Sequence, residues 1–224
     1  MRVATFNVRH GRPNKGFASN RRLAAACAGL DSDIIGLQEL ECRVVRSWFA
    51  NQLAAIASAT GSSGVYAPAR RLGLTGTGGI GLCVRGAVLR SEILSLPHHP
   101  GDYQRVALFA RVRTDDGEAS AAVTHLGGTK HRAARVQLQA LLDAYSNWSQ
   151  PRILLGDFNM DPWEVESQLS RAGFSLTDGS EPSFPAVSPR RRIDHVATDG
   201  LKVERVDVRT MQVSDHRAVI ASLV

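Results

Sequence analysis

The sequence has few cysteines and few aromatic residues. Three cysteines occur in 224 residues, and Cys27, Cys42 and Cys83 form neither a CxxC pair nor a cluster with histidine. This pattern argues against a disulfide framework and against a zinc site, so we expect buried, inert thiols. Aromatic residues make up 6% of the chain, which offers little support for stacking against nucleic-acid bases.

Long apolar runs are also absent. The longest, such as 23–30 and 53–59, are far shorter than the ~18–20 residues of a membrane-spanning helix. The chain opens with polar residues, including Asn7 and Arg9, where a secretory signal has an apolar segment of ~7–15 residues. We therefore expect a cytoplasmic protein without a membrane span.

What the chain does have is the composition of a globular protein with a basic excess. Hydrophobic residues make up 43% and charged residues 21%, as in ordinary soluble domains. The 27 Lys and Arg residues exceed the 21 Asp and Glu residues, and the net charge of +6 is compatible with an anionic partner. Because no linker, repeat or low-complexity tract interrupts the sequence, we expect one domain over residues 1–224, and a monomer.

Segments typical of strands alternate with segments typical of helices. Strands are predicted at 2–8, 33–38, 79–85, 88–96, 105–113, 119–124, 152–155, 193–198, 201–209 and 216–223, and helices at 20–30, 47–60, 131–148 and 162–171. Ser19 is the candidate cap of the first helix, Gly61 ends the second, and Asp116-Gly117 indicates a hairpin turn. Some strands are wholly apolar and need cover on both faces. An α/β protein in which helices cover two packed sheets meets that need.

Polar residues that suit phosphoester chemistry lie where these strands end. They are Asn7, Gln38-Glu39, His125, Asp157, Asn159, Asp194 and Ser214-Asp215-His216. Carboxylates beside apolar segments are costly to bury without a compensating cation. If the four carboxylates converge, Mg²⁺ would offset their repulsion, and the two histidines titrate near neutral pH. The set predicts metal-assisted hydrolysis of a phosphoester.

Each of these residues has an ordinary structural interpretation when taken alone. Gln38-Glu39 would end a strand at the surface, and His125 would be a hydrogen-bonded structural histidine. Asp157 would form an Asx-type turn, Asp194 would pair with a neighbouring arginine, and Ser214-Asp215-His216 would be a turn before a strand. Their joint occurrence at strand ends favours the functional interpretation.

Six segments, taken in order, resemble the endonuclease/exonuclease/phosphatase superfamily. They are TFNVRHG (5–11), GLQEL (36–40), VTHLGG (123–128), LLGDFNMDP (154–162), RRIDHV (191–196) and VSDHRAV (213–219). The superfamily includes deoxyribonuclease I, abasic-site exonucleases, neutral sphingomyelinases and inositol polyphosphate phosphatases. The resemblance implies a deoxyribonuclease I-like, four-layer α/β/β/α sandwich with a divalent-metal site at one end of its sheets.

The resemblance also implies a metal set. Glu39 matches the main metal-binding glutamate, and Asp215 matches a second carboxylate close to the metal. Asn7 matches the asparagine near the metal and the phosphate. The implied cofactor is Mg²⁺ or Mn²⁺.

The remaining motif residues match catalytic positions. Asp157 and Asn159 match the pair that positions the attacking water and contacts the phosphate. His216 matches the histidine drawn as general base or as phosphate ligand, and Asp194 matches its orienting carboxylate. His125 matches a second histidine of the deoxyribonuclease I and sphingomyelinase branches, and it points away from the abasic-site exonucleases.

Basic residues flank several of the motifs and bear on the substrate. They are Arg9, Arg12 and Lys15; Arg70 and Arg71; Lys130, Arg132 and Arg135; and Arg190, Arg191 and Arg192. Such groups suit a nucleic-acid backbone, so a nuclease acting on DNA or RNA is the leading hypothesis. Arg9, Arg105 and Arg192 are the candidate phosphate-binding residues. A solvated arginine-rich surface is the ordinary alternative.

Two other functions remain open at this point. A phosphatase or phosphodiesterase acting on an inositol phosphate or a phospholipid headgroup would use the same metal site. The insertions of inositol phosphatases are not seen, and the glycine-rich segment 72–80 is not strongly hydrophobic, as a membrane-touching loop would be. A non-catalytic binding protein would require the loss of motif residues, and those residues are intact. His195 should face away from Asp194 on its strand, in a packing or tautomer-fixing role.

Overall fold

The structure, a computed structural model, describes residues 1–98, 100–128, 131–177 and 181–224. Its helices are α1 (Asn20–Ala28), α2 (Gln52–Thr60), α3 (His131–Tyr145) and α4 (Pro162–Arg171). Its strands are β1 (Arg2–Asn7), β2 (Ile34–Cys42), β3 (Ser63–Leu72), β4 (Gly76–Val84), β5 (Ala87–Ser95), β6 (Val106–Thr114), β7 (Gly117–His125), β8 (Arg152–Asp157), β9 (Ser175–Leu176), β10 (Asp194–Asp199), β11 (Val203–Thr210) and β12 (Arg217–Leu223).

The strands form two six-stranded mixed sheets. One has the order β11-β12-β1-β2-β4-β3, and the other has the order β5-β6-β7-β8-β10-β9. Each sheet has one parallel pair near its centre, β1 with β2 and β7 with β8. A parallel pair needs a crossover connection, and α1 and α3 lie in those two crossovers. The carboxyl ends of the paired strands therefore lie side by side, which brings together the polar residues that follow them.

The two sheets pack face to face and helices cover their outer faces. The core between the sheets includes Ile34, Val123 and Leu155. The outer face of one sheet packs against α1 and α2, and the outer face of the other packs against α3 and α4. The sheets approach so closely that a Cβ atom on Gly36 would lie 2.8 Å from the Cβ of Leu155. The four-layer α/β/β/α sandwich predicted from the sequence is confirmed.

Two helix ends have the predicted capping residues. The Ser19 hydroxyl accepts the Arg22 N–H at 3.3 Å, and Gly61 ends α2 with a φ of 63°. The helix predicted at 47–60 begins only at Gln52. The reason is that Trp48 and Phe49 adopt left-handed φ values of 57° and 55° after a short 3₁₀ turn.

Three other predictions about elements are corrected. The strand predicted to end at Gln38-Glu39 continues to Cys42 through a bulge, since the register with β4 shifts between Leu37 and Leu40. The glycine-rich segment 72–80 comprises the last residue of β3, the β3–β4 turn and the first five residues of β4, so this strand begins at Gly76 rather than at residue 79. Strand β3 was not expected from the alternation of residues, because its side chains are largely exposed or half-buried.

The remaining differences are at element ends. Helix α3 ends at Tyr145 rather than at residue 148. The hairpin turn before β7 is formed by residues 115–116, and Gly117 is the first residue of the strand. Two-residue β9 pairs with β10 and had no distinct sequence pattern.

Two of the three thiols are buried as expected, whereas Cys42 is half-buried. Cys27, Cys42 and Cys83 are free thiols, and the first and last are buried. Burial raises the pKa of Cys27, and it raises that of Cys83 to about 12, so both stay protonated at neutral pH. Within the described ranges, no helix is both long and apolar enough to cross a bilayer.

Candidate active site

Asn7 connects the two sheets at the end where the parallel strands stop. It is the last residue of β1, and its Nδ2 donates to Asp157 Oδ2, at the end of β8, at 2.9 Å. The same nitrogen donates to Glu39 Oε1 at 3.1 Å. Asn7 is wholly buried, and its Oδ1 accepts the Arg9 N–H. The amide nitrogen of Asn7 thus donates hydrogen bonds to one carboxylate from each sheet.

The bulge in β2 sets the direction of Glu39. Glu39 has a φ of 57°, which breaks the alternation of side chains along the strand. Its neighbour Gln38 is buried and donates to the Thr5 hydroxyl at 3.1 Å. Glu39 itself is half-buried and contacts Asn7. A residue that the sequence suggested as a strand end is therefore a bulge residue inside a longer strand.

His216 and Asp194 form a buried pair. The His216 Nδ1 lies 2.9 Å from Asp194 Oδ2, and the Nε2 lies 3.8 Å from Asp157 Oδ2. Burial favours the neutral imidazole, but attraction and hydrogen bonding by Asp194 outweigh it and raise the pKa of His216 to about 10. Because Asp194 occupies Nδ1, the free ring nitrogen faces the carboxylate cluster.

Asp157 is the centre of the cluster. Its Oδ2 meets Asn7 at 2.9 Å and lies 3.5 Å from His125 Nε2. Burial and the nearby charge of Asp194 raise the pKa of Asp157 to about 7. Burial and the Arg105 charge hold the pKa of His125 well below its usual value, so that imidazole is neutral.

Asn159 orients Asp157 from the following turn. Its backbone N–H donates to Asp157 Oδ1 at 3.0 Å, and its side-chain Nδ2 donates to the Leu126 carbonyl at 2.9 Å. The Asx-type turn considered as the ordinary interpretation of Asp157 is therefore present. It does not compete with a functional role, because it engages Oδ1 and leaves Oδ2 to the cluster.

The turn before β12 completes this end of the molecule. The Ser214 hydroxyl donates to the Asn7 carbonyl at 2.7 Å and accepts the His216 N–H at 3.1 Å. Asp215 is half-buried, and its Oδ2 lies 3.3 Å from Arg9 Nε. The segment Ser214-Asp215-His216 is thus attached to the end of β1, which places Asp215 beside Arg9.

The three candidate phosphate-binding arginines differ in position. Arg9 pairs with Asp215, and Arg105 donates to Asp102 at 3.2 Å beside His125. Arg192 is only 5% exposed, and its guanidinium donates to the Thr177 carbonyl and hydroxyl at 3.3 and 3.1 Å. We therefore do not retain Arg192 as a phosphate-binding residue, since burial leaves it little access to a substrate.

Two of the other flanking basic residues are engaged with carboxylates. Arg135 lies 3.5 Å from Glu164, and Arg191 lies 3.0 Å from Asp161. Lys130 lies outside the described residues. Arg70 is placed beside His125 and stacks on the ring of Tyr103. Arg9, Arg70 and Arg105 are basic groups that the structure places beside residues of the cluster.

Two supporting residues were not found from the sequence. Ser183 accepts the backbone N–H groups of Ile193 and Asp194, each at 3.2 Å, and the Phe184 ring lies 4.7 Å from that of His216. Both lie in the described segment between β9 and β10, for which the sequence predicted no helix or strand. No local pattern could identify them, because their partners are about ten or more residues away.

His195 takes the role expected from its place on the strand. It is wholly buried, and its Nε2 lies 2.8 Å from the Met160 carbonyl. Its ring contacts Phe158 at 5.1 Å. Burial lowers its pKa to about 4. His195 therefore packs behind the turn that carries Asp157 and Asn159, on the side away from the cluster.

The donor set suits a divalent cation. In the described part of the chain, ligand atoms of Asp157, Asp194 and His216 lie within 4.8 Å of one another. Asp194 is engaged with His216, whereas Glu39 and Asp157 share the one amide nitrogen of Asn7. Burial is the main cause of the raised pKa of Asp157, and the nearby charge of Asp194 adds to it. A hard cation, which prefers carboxylate oxygens, would offset the repulsion between these carboxylates.

Clustered carboxylates beside an aspartate-oriented histidine, at one end of a two-sheet sandwich, define a hydrolase of phosphoesters. The sequence also identifies the family. The sequence model of the Endonuclease/Exonuclease/phosphatase family matches residues 4–216, and the chain belongs to this family. Enzymes of this family act on phosphoesters and depend on divalent metal ions. No curated protein matches the sequence.

Solved structures of low sequence identity share the fold. An endonuclease/exonuclease/phosphatase from Beutenbergia cavernae superposes with a TM-score of 0.83 at 18% identity, over 100% of this chain and 71% of that one. A mannosyl-6-phosphatase from Bacteroides thetaiotaomicron gives 0.77 at 18%, over 100% and 99%. The catalytic domain of human Nocturnin gives 0.73 at 18%, over 100% and 94%.

Proposed function

We propose that this protein is a Mg²⁺- or Mn²⁺-dependent phosphodiesterase that hydrolyses its substrate with an activated water. One observation carries the proposal. The Oδ2 atom of Asp157 faces Asn7, His125 and His216 at 2.9, 3.5 and 3.8 Å. A carboxylate, a neutral imidazole and a charged imidazole thus converge where a phosphate group and an attacking water would meet.

Glu39 and Asp215 would hold the metal ion, with Asn7 beside them. When bound, a divalent ion neutralises charge that develops on the phosphoryl oxygens. Asn7 keeps Glu39 and Asp157 at a fixed separation through its two hydrogen bonds. This preorganisation lowers the reorganisation needed as the reaction proceeds.

Asp157 is proposed to orient the attacking water and to accept its proton. Asn159 holds Oδ1 through its backbone N–H, so Oδ2 is the atom available to the water. The raised pKa of Asp157 brings this carboxylate closer to the operating pH of a general base.

His216 is proposed to act as a charged phosphate ligand. Its raised pKa supports this role over that of general base, because Asp194 keeps the imidazole protonated. His125, which is neutral, is proposed to donate or accept a hydrogen bond at the phosphate. Arg9 and Arg105 add positive charge beside the cluster.

Nucleic acids remain the first substrate class to test. Arg9, Arg70 and Arg105 lie near the cluster and would contact a phosphate backbone. Arg135 and Arg191, by contrast, are engaged with carboxylates, which reduces the basic surface that the sequence suggested. Small phosphate esters and phospholipid headgroups therefore belong in the same panel.

The test is hydrolysis of bis-p-nitrophenyl phosphate with Mg²⁺ or Mn²⁺, and its loss with EDTA. Glu39→Ala and His216→Ala should abolish turnover. Glu92→Ala is the matched control, because Glu92 lies on β5, is exposed and pairs only loosely with Arg90 at 3.7 Å. Full activity in either of the first two variants would refute the assignment.

The substrate is then sought among DNA, RNA, inositol phosphates and sphingomyelin. Cleavage that falls steeply with salt would support a polyanionic substrate. Cleavage of a small ester that tolerates salt, with no cleavage of DNA or RNA, would refute the nuclease assignment.

A further inference from the structure

Five large apolar side chains are exposed on three loops, and we call them the apolar patch. They are Phe17, Val45, Trp48, Phe49 and Leu74, with exposed fractions of 88, 72, 81, 60 and 93%. The first precedes α1, the next three lie between β2 and α2, and the last lies in the β3–β4 turn. Single exposed apolar residues are ordinary, whereas a group of them marks a surface that binds a partner.

Hydrogen bonds hold the three loops side by side. The Asn20 side chain, at the start of α1, donates to the Ser47 carbonyl at 2.9 Å. The Thr75 hydroxyl donates to the Arg43 carbonyl at 3.4 Å, and a Cβ atom on Gly76 would lie 2.7 Å from that same oxygen. The segment between β2 and α2 therefore contacts the start of α1 and the β3–β4 turn, so the apolar patch belongs to adjoining loops.

The turn that carries Trp48 and Phe49 is fixed by its own backbone. The Trp48 N–H donates to the Val45 carbonyl, and the Phe49 N–H donates to the Val44 carbonyl, each at 2.9 Å. Both aromatic residues have left-handed φ values, 57° and 55°. Such values are rare for large side chains, and they persist where the surrounding structure imposes them, often at functional sites. The turn thus keeps both rings out of the core.

The charge around the apolar patch is of one sign. Residues 1–30 and residues 42–91 contain no Asp and no Glu. The only carboxylate between Leu40 and Cys42, that of Glu41, is buried and paired with Arg46. The loops of the patch and the first turn of α1 carry exposed basic side chains, namely Arg12, Lys15, Arg21, Arg22, Arg43 and Arg71. A partner of this surface therefore has to offer both negative charge and an apolar phase.

The surface of an anionic lipid bilayer meets both requirements. Tryptophan and phenylalanine rings are favoured in the headgroup region, and arginine side chains extend to lipid phosphates. A single nucleic-acid strand would engage the rings and the arginines, but it would leave Val45 and Leu74 exposed, since aliphatic side chains do not stack on bases. The apolar core of a protein interface is depleted in charge, whereas here basic and apolar side chains share the same loops.

We propose that the apolar patch docks the protein on the surface of an anionic bilayer. Trp48 and Phe49 enter the headgroup region, and basic side chains of the same loops bind lipid phosphates. Arg46, next to Val45, lines the cavity that Glu39 also lines, so the docked face adjoins the candidate active site. Docking requires no hydrolysis, so it goes beyond the proposed function and does not depend on it.

Co-sedimentation of the whole protein with lipid vesicles tests the docking. One vesicle is pure phosphatidylcholine, and the other is an equimolar mixture of phosphatidylcholine and phosphatidylglycerol. We expect binding to the anionic vesicle to be about tenfold tighter or more, and to weaken as salt is added. Equal binding to the two vesicles, or binding to neither, would overturn the proposal.

The aromatic side chains are tested by substitution on the same vesicles. Trp48→Ser combined with Phe49→Ser should weaken binding to the anionic vesicle by about tenfold or more. Trp163→Ser is the matched control, because Trp163 is 74% exposed but lies on α4, outside the patch. The control should bind as the wild type does. Undiminished binding by the patch variant would contradict the docking surface.

The basic side chains are tested in the same way. Arg21→Gln combined with Arg43→Gln should weaken binding to the anionic vesicle, because two exposed charges of the patch are lost. Lys202→Gln combined with Arg205→Gln removes two exposed charges at the start of β11 and should leave binding unchanged. An equal loss in both pairs would mean that net charge alone drives binding, and it would overturn the patch.

Tryptophan fluorescence measures insertion directly. Addition of the anionic vesicle should shift the emission to shorter wavelength, because Trp48 moves from water into the headgroup region. The shift should remain in Trp163→Phe. It should disappear in Trp48→Phe, which still binds because phenylalanine keeps an aromatic ring. A shift that persists in Trp48→Phe would place another surface on the membrane and overturn the proposal.

A single-stranded oligonucleotide is the competing ligand. If it binds through Trp48 and Phe49 while the vesicles do not bind, the patch serves nucleic acid and the bilayer proposal is wrong. The two proposals of function and docking fail separately. Docking without hydrolysis of bis-p-nitrophenyl phosphate would overturn the phosphodiesterase function alone, and hydrolysis without docking would overturn the apolar patch alone.

Discussion

Burial of His195 makes the stability of this protein depend on pH. Its pKa falls from about 6.5 in the unfolded chain to about 4 in the fold, because the ring is wholly buried. Above pH 6.5 the ring is neutral in both states and contributes nothing to the pH dependence of the free energy of unfolding. As the pH falls below 6.5, the unfolded chain binds a proton that the folded protein does not, so the free energy of unfolding decreases until about pH 4.

The size of the effect follows from the shift. One pKa unit corresponds to about 1.4 kcal/mol. The fall in the pKa of His195 from 6.5 to about 4 therefore lowers the free energy of unfolding by about 3 kcal/mol once the pH is below 4. At pH 5 the ring already accounts for about 2 kcal/mol. That is a large part of the roughly 5–15 kcal/mol that stabilises an ordinary domain.

Urea unfolding at pH 7.5 and pH 5.0 measures this contribution. In His195→Gln the side-chain amide can still donate to the Met160 carbonyl, but it does not titrate. The difference in unfolding free energy between the two pH values should therefore be about 2 kcal/mol smaller than in the wild type. Comparing this pH-induced difference between the variant and the wild type cancels the contributions of the other titrating groups, Asp157 and His216 among them.

His98→Gln is the control, because His98 is exposed and should leave the wild-type pH dependence unchanged. An unchanged pH dependence in His195→Gln would refute the reasoning. It would mean that His195 either protonates in the fold or is not desolvated.

The remaining predictions concern catalysis and packing. Asp194→Asn should lower kcat by about 10³-fold or more, because His216 loses its orienting carboxylate; Asp199→Asn, at the opposite end of β10, should leave kcat unchanged. Tyr145→Phe removes a buried hydroxyl that donates to a β7 carbonyl at 2.6 Å, so urea unfolding should show a loss of roughly 1–3 kcal/mol. Gly36→Ala places a methyl group 2.8 Å from Leu155 Cβ and should lower the thermal midpoint through an overpacking cost of roughly 1–3 kcal/mol. Wild-type midpoints in both packing variants would contradict the described core.

Local signals predicted the helices best where capping residues were present. Helix α1 begins at Asn20 as predicted, because Ser19 caps it, and α2 ends before Gly61 as predicted. The start of α2 was wrong because apolar Trp48 and Phe49 suit a helix by composition. Their left-handed backbone, which composition does not reveal, excludes them from it.

Two of the four edge strands, β3 and β9, were not predicted, whereas the edge strands β5 and β11 were. The central strands β1 and β8 are wholly or almost wholly buried, and their apolar runs identified them. Strand β3 lies at the edge of its sheet and buries little. Its pairing with β4 depends on the partner strand rather than on its own side-chain pattern.

The sequence by itself determined the chemical character of the site and the class of fold. The sequence identified the carboxylates, histidines and asparagines at the ends of apolar strands, because strand periodicity and burial are local properties. The contacts between these residues could not be predicted from the sequence. Asn7 and Asp157 are 150 positions apart, and only the packing of one sheet on the other brings them to 2.9 Å.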